Sequence, residues 1–231
     1  MHRTIDAIKI LRKDVTLARK PADQSVSRDD IIVAAAEVLR RNGYEATTMK
    51  DIAAEVNLTA ASLYHHFRNK DTLLLAVLEG GIDQVIAMME PVVHSDMANV
   101  DKLRELIRAH VASLTKHTAV GAAMIFEIRP LLNFKAPANN GNHAKEDTYS
   151  EFTQRRDAFF QRRDYFEELF RCVLQDGIDA GEFRQVDTAI FTKAMLGAHN
   201  WVAVWYKEGG RLDGNTIADM MADQFLRALA P

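Results

Sequence analysis

The sequence predicts an all-α fold, and three observations carry that expectation. Apolar residues recur at three- and four-residue intervals, the period of an amphipathic helix, and no alternating strand pattern interrupts them. Ser, Thr, Asn or Asp stands ahead of run after run, where a side-chain oxygen can cap the free N–H groups of a first turn. Only five prolines and eleven glycines punctuate the 231 residues. Hydrophobic residues make up 48% and charged residues 26%, a balance that supports a real core.

Residues 1–26 read as a basic N-terminal arm. Arg3, Lys9, Arg12, Lys13, Arg19 and Lys20 stand there against Asp6, Asp14 and Asp23, with Pro21 near the end. The arm is either a solvated terminus or a helix over residues 4–13 followed by a loose linker. Ser27-Arg28-Asp29-Asp30 then comes close to a capping box. Ile31, Ile32, Ala35, Val38 and Leu39 continue from it at helical spacing, and Asn42-Gly43 stops the helix. Thr48 and Asp51 repeat the cap, and Met49, Ile52, Ala53 and Val56 form one face of a short second helix. Asn57 follows, a residue that tolerates a left-handed turn. Thr59 caps a third segment over residues 60–67. Asn69 caps a fourth that opens with Lys70 and carries Leu73, Leu74, Val77 and Leu78. Residues 27–73 therefore read as a compact three-helix unit, and residues 74–231 as a larger helical domain.

In that larger part, Leu103, Leu106, Ile107, His110, Val111 and Leu114 share one helical face. A further segment runs over residues 120–128, with Pro130 just beyond it. Residues 134–147 read as a polar loop, with Pro137, Asn139, Asn140, Gly141 and Asn142. A long helix is expected next, marked by Phe152, Phe159, Phe166, Phe170, Val173 and Leu174. Gly177 inside it costs about 1 kcal/mol relative to alanine, and Gly181 ends it. Two last helices start near Asp187 and Asp213, separated by Gly209-Gly210, with Phe191, Met195, Ala198, Val202 and Trp205 as the apolar positions of the first.

Several functional classes are disfavoured. Cys172 is the only cysteine, which excludes an intrachain disulfide and suits a reducing compartment; it reads as an inert thiol packed beside Phe170 and Val173. No uninterrupted run of about 18 apolar residues suggests a membrane span, and the first residues lack the apolar centre of a secretory signal, so a cytoplasmic protein is expected. Adjacent His65 and His66 point about 100° apart on a helix and cannot easily share a metal; His65 is expected to face outward and His66 to pack. His110 and His117 lack a completing ligand. Gly80-Gly81 has no strand before it and no Gly-Lys-Ser/Thr after it, so it reads as a bend or close approach. No catalytic residue, metal site or cofactor is expected.

The second and third helices with their turn carry the functional signal. A recognition helix needs an apolar back and an open polar front, because its first residues meet base edges in the major groove. Leu63 and Phe67 supply the back, facing Ile52 and Val56. Thr59, Ala60, Ala61, Ser62, Tyr64 and His65 supply the front. The hydroxyls reach phosphates or bases, and the alanines permit close approach and contact with thymine methyls. Thr48 and Lys70 sit at helix N-termini, where free N–H groups suit a phosphate. Residues 28–73 hold six basic against seven acidic side chains, so phosphate contacts must be local.

Residues 32–78 resemble the TetR family of transcriptional regulators. The resemblance lies in Gly43-Tyr44-Glu45-Ala46-Thr47-Thr48 leading into Asp51-Ile52-Ala53, then Ser62-Leu63-Tyr64-His65-His66-Phe67-Arg68-Asn69-Lys70. Asn57 stands where the family usually has glycine. The resemblance implies a homodimer that sets one recognition helix into each half of an inverted-repeat operator on double-stranded DNA. The segment from Asn200-Trp201 through Trp205 to Arg211-Leu212 resembles a branch whose members often answer to acyl-CoA thioesters. On that resemblance Arg155, Arg156, Arg162 and Arg163 are candidates for CoA phosphates, and Phe126, Trp201 and Trp205 for an acyl channel. The last two helices are expected to pair with their copies. The rival reading is a helical DNA-binding or architectural dimer with no inducer.

Overall fold

A computed structural model of the chain describes residues 26–134 and 143–231, with the side chains of residues 143–149 outside the description. The expected basic arm lies outside the described residues except for Val26, as do residues 135–142 of the expected polar loop. Among the described residues all regular structure is helical.

Helix α1 (Arg28–Ala46) opens with a capping box in which Ser27 accepts from Asp30 N–H and the Asp30 carboxylate accepts from Ser27 N–H. Its course breaks at Gly43, whose φ of +73° is a left-handed conformation open to glycine. Helix α2 (Met49–Glu55) carries the second capping box, between Thr48 and Asp51. Asn57, at φ 56°, makes the left-handed turn expected of it, and Thr59 caps helix α3 (Ala60–His66) by accepting from Ser62 N–H. Ile31, Leu39, Ile52, Leu63 and Phe67 close a dry centre beneath these three helices.

Helix α4 (Lys70–Val93), capped by Asn69, runs without a break past residue 73 into the larger part of the molecule. By length and composition it is apolar enough to cross a membrane, although no single apolar run signals it in the sequence. Here its apolar residues, from Leu73 to Leu78 and on through Ile82, Ile86 and Met89, are buried in the core instead. The two glycines in it differ: a Cβ on Gly81 would lie 2.7 Å from Val120 Cγ1, whereas one on Gly80 would meet nothing. Gly81 is thus the point of close approach.

Helix α5 (Asn99–Lys116) buries the predicted face from Leu103 to Leu114. The segment expected over residues 120–128 is helix α6 (Thr118–Phe126), and beyond it comes a single turn that was not expected, α7 (Arg129–Leu132). Pro130 starts α7 rather than merely following α6, since a first-turn proline gives up an N–H that has no helical acceptor.

Helix α8 (His143–Asp179) begins inside the stretch expected to be loop. It buries Phe152, Phe159, Phe166, Phe170, Val173 and Leu174 as predicted. Gly177 is more than a tolerated weakness: a Cβ there would fall 2.2 Å from the Phe183 ring, which packs on it. Cys172 corrects the expectation of burial. It is exposed, on the outer side of α8, its thiol 3.5 Å from the Glu168 carboxylate. Partial desolvation and that carboxylate push the thiol's pKa up, disfavouring the reactive thiolate.

Helices α9 (Thr188–Trp205) and α10 (Gly214–Leu229) are capped by Asp187 and Asp213, as expected. Met195, His199 and Val202 of α9 face the core, while Ile190, Trp201, Val204 and Trp205 stay exposed along its other side.

Candidate nucleic-acid interface and ligand cavity

The front of α3 is open. Leu63 and Phe67 seat it from behind, and the Arg28 guanidinium lies 4.6 Å above the Phe67 ring. Thr59, Ala61, Tyr64 and His65 are exposed, with Ala60 and Ser62 partly so. Thr59 and Ser62 join hydroxyls at 2.9 Å, which fixes both at the tip of the helix. His66 is exposed rather than packed, because it follows the buried Leu63 by three positions on the far edge of the stripe that Phe67 completes. Lys50, a cation outside the expected set, is exposed in the first turn of α2, next to the Thr48 cap.

Lys70 corrects an expectation. Its ammonium turns inward, donating to the carbonyls of Tyr44 at 2.6 Å and Thr47 at 2.9 Å and lying 4.1 Å from the Tyr44 ring centre. It fastens the corner between α1 and α2 instead of projecting a charge toward solvent. The Tyr44 hydroxyl donates to Asp71. Across the same corner, the Glu127 carboxylate at the end of α6 accepts from Tyr44 N–H at 3.0 Å.

Helix α6 also walls a cavity of about 460 Å³. Val120, Met124 and Ile125 of α6, Ile82 and Val85 of α4 and Leu196 of α9 give it apolar sides, and His110, Ser113 and His117 line it from one face of α5. Arg163, Asp164 and Lys193, all exposed, stand at its rim.

Several expected ligand residues lie elsewhere. Phe126, Trp201 and Trp205 are exposed, at 49%, 62% and 48%, and do not line this cavity. Helical rotation separates them from it: Met124 and Ile125 face inward ahead of Phe126, as Leu196 and Asn200 do ahead of Trp201. Arg162 pairs with Asp83 at 2.8 Å and Arg155 with Glu79 at 2.6 Å, both tying α8 to α4, while Arg156 pairs with Asp157. Arg163 alone of the four lines the cavity, and it has no carboxylate partner among the described residues.

The sequence did not reveal the buried pair at the back of this cavity. His110 Nδ1 lies 3.3 Å from His199 Nδ1 of α9, among Phe166, Phe170 and Phe225. Burial pushes His110 down to about 4 and His199 well below its ordinary value, so both rings are neutral at pH 7. The charged residues that line the same cavity as His110 are Arg163, Asp164, Glu167 and Lys193. A histidine with a depressed folded-state pKa binds fewer protons folded than unfolded. Its stability contribution is therefore full above about pH 6.5 and is lost as pH falls toward 4. His110 alone should cost about 2 kcal/mol between pH 7 and pH 5. Denaturant melts of the wild type and His110→Gln at both pH values test this, and an equal decline in the two proteins would refute it.

Against known proteins, residues 31–77 match the family model described as bacterial regulatory proteins, tetR family. Residues 96–229 match that of the tetracyclin repressor-like C-terminal domain. The chain belongs to the TetR family. This TetR-family protein is 28% identical over 216 residues to the HTH-type transcriptional repressor KstR2 of Rhodococcus jostii, spanning 91% of this chain and 96% of the relative. Its fold superposes on PfmR of Thermus thermophilus with a TM-score of 0.70 at 25% identity, covering 85% and 97% of the two chains. It also superposes on AibR solved with isovaleryl coenzyme A and operator DNA, with a TM-score of 0.65 at 25% identity and coverage of 88% and 98%. The chain is a transcriptional regulator and not an enzyme.

Proposed function

We propose that this TetR-family regulator is a cytoplasmic repressor. It binds an inverted-repeat operator as a homodimer and is released by a small apolar effector of the acyl-CoA thioester class. The observation that carries the DNA half is α3, with its exposed hydroxyl-bearing front on a fully buried Leu63 and Phe67. Thr48, Thr59, Ala60, Ala61, Ser62, Tyr64 and His65 are the contacts, and Lys70 serves by holding the corner behind them. The exposed stripe of Ile190, Trp201, Val204 and Trp205 on α9 supports pairing with a second copy, since contiguous apolar surface of this kind marks an interface.

The cavity supports an inducible regulator over a merely architectural dimer. Its volume of about 460 Å³ falls within the usual range for ligand pockets and suits an acyl chain and part of its pantetheine arm. The nucleotide would remain outside, near Arg163, whose planar fork matches phosphate oxygens. The relatives lend support: KstR2 is named as a repressor, and AibR was solved with an acyl-CoA and DNA together.

Titrating the operator complex with acyl-CoAs of several chain lengths tests the reading, with free CoA and free acids as controls. A coupling of about 1–3 kcal/mol weakens operator binding about 5–150-fold. If no thioester loosens the complex, the effector class is wrong; if free acids act equally well, Arg163 reads no phosphate. Tyr64, half exposed on α3, gives a second test. Tyr64→Phe removes one hydroxyl and should weaken binding to every DNA sequence alike by about tenfold, the value of a hydrogen bond to a charged phosphate. An unchanged gel-shift midpoint removes Tyr64 from the interface.

A further inference from the structure

We propose that His110 sets the specificity of the cavity by binding a hydroxyl or carbonyl oxygen on the buried part of the effector. That makes the effector an oxygen-bearing acyl group rather than a plain hydrocarbon chain. The proposal rests on the reading of this cavity as the effector site and deepens it.

His110 is only 6% exposed, yet it lines the cavity. Its Nδ1 is engaged by His199 Nδ1 at 3.3 Å, which leaves Nε2. The two Nε2 atoms differ. That of His199 is sealed off and unpartnered. That of His110 has no hydrogen bond to a described residue, and His110 lines the cavity. Phe166 stands edge-on to the His110 ring, with centroids 5.0 Å apart, and His199 packs on the same ring at 5.4 Å, so the two together fix its direction.

A nitrogen on a side chain this deeply buried is largely stripped of water and is fully paired only when a group in the cavity supplies a partner. A hydrocarbon ligand leaves it bare; an oxygen in reach does not. A neutral imidazole offers one N–H and one lone pair, so a hydroxyl matches either tautomer and a carbonyl matches the N–H form. The rest of the α5 face agrees. Ser113 lies one turn from His110, and His117 lies two turns away with its Nε2 3.4 Å from the Gln84 amide. A cavity for a simple alkyl chain has no use for this polar stripe opposite Val120 and Leu196.

The test compares acyl-CoA pairs of equal chain length, with and without a hydroxyl or keto group, binding to the full-length wild type, His110→Leu and His110→Gln. The oxygenated member should bind the wild type about tenfold more tightly. His110→Leu should erase that preference, and His110→Gln, which keeps a hydrogen-bonding group, should retain part of it. No preference in the wild type, or a preference that survives His110→Leu, overturns the proposal. If no thioester binds at all, the thioester reading fails while His110 is still decided by fragments: cyclohexanol, cyclohexanone and methylcyclohexane, read by the histidine ring nitrogen resonances. A shift of His110 Nε2 with the oxygenated fragments alone upholds the role, and no shift overturns it.

Discussion

Phe67→Ala should cost this protein about 3–5 kcal/mol, the usual toll of truncating a fully buried phenylalanine, and should remove operator binding with it. Phe67 closes the far end of α3 at 1% exposure and carries the Arg28 guanidinium above its ring. Helix α3 is only seven residues long, too short to persist without tertiary support, and Leu63 and Phe67 are the side chains that seat it. A loss of this size is a large part of the roughly 5–15 kcal/mol by which a domain is stable. Denaturant melts give the stability change and gel shifts give the DNA loss, with Tyr64→Phe as the control that disturbs the front but not the back. A melt displaced by less than about 1 kcal/mol, outside the range for such truncations, would show that α3 is held by something else.

Glu127→Ala should leave the operator complex intact but largely abolish its response to effector. Helix α6 places Val120, Met124 and Ile125 in the cavity wall and packs so closely on Gly81 that Val120 leaves no room for a Cβ. A ligand that displaces this wall displaces α6. The next residue after α6 is Glu127, and its carboxylate holds Tyr44 N–H at 3.0 Å, directly after the break at Gly43. Lys70 fastens the same corner through the carbonyls of Tyr44 and Thr47, one residue before the Thr48 cap of α2. Movement at the cavity thereby reaches the helices that face DNA. An effector response of about 5–150-fold should fall toward unity in Glu127→Ala and persist in Glu127→Gln, which keeps a carbonyl acceptor. Operator titrations with and without a saturating thioester measure it, and a full response in Glu127→Ala would place the coupling elsewhere.

Much of the fold, and the exposed front and buried back of α3, was legible in the sequence because its signals are local. A cap needs an oxygen within three residues of the N–H it satisfies, as at Ser27, Thr48, Thr59, Asn69, Asp187 and Asp213. An amphipathic face needs only a repeat every three or four positions. A left-handed turn needs a residue that tolerates it, and Asn57 is one. The front and back of α3 follow from the same spacing, so Tyr64 and Leu63 could be assigned without knowing what lies behind them.

What only the tertiary structure decided was which partner each long or polar side chain found. Four arginines on α8 looked equally available to a phosphate; packing α8 on α4 committed Arg155 to Glu79 and Arg162 to Asp83, 76 and 79 residues away, and left Arg163 at the cavity. Lys70 looked like a surface charge until α1 folded back and offered it carbonyls. Trp201 and Trp205 were ligand candidates on the family resemblance, but the rotation of α9 set His199 and Val202 inward and the tryptophans out. His110 and His199, 89 residues apart, carry no mark in sequence that they meet. Helical period and capping act within one turn of the chain, whereas a buried polar group is satisfied by whichever helix happens to pack against it.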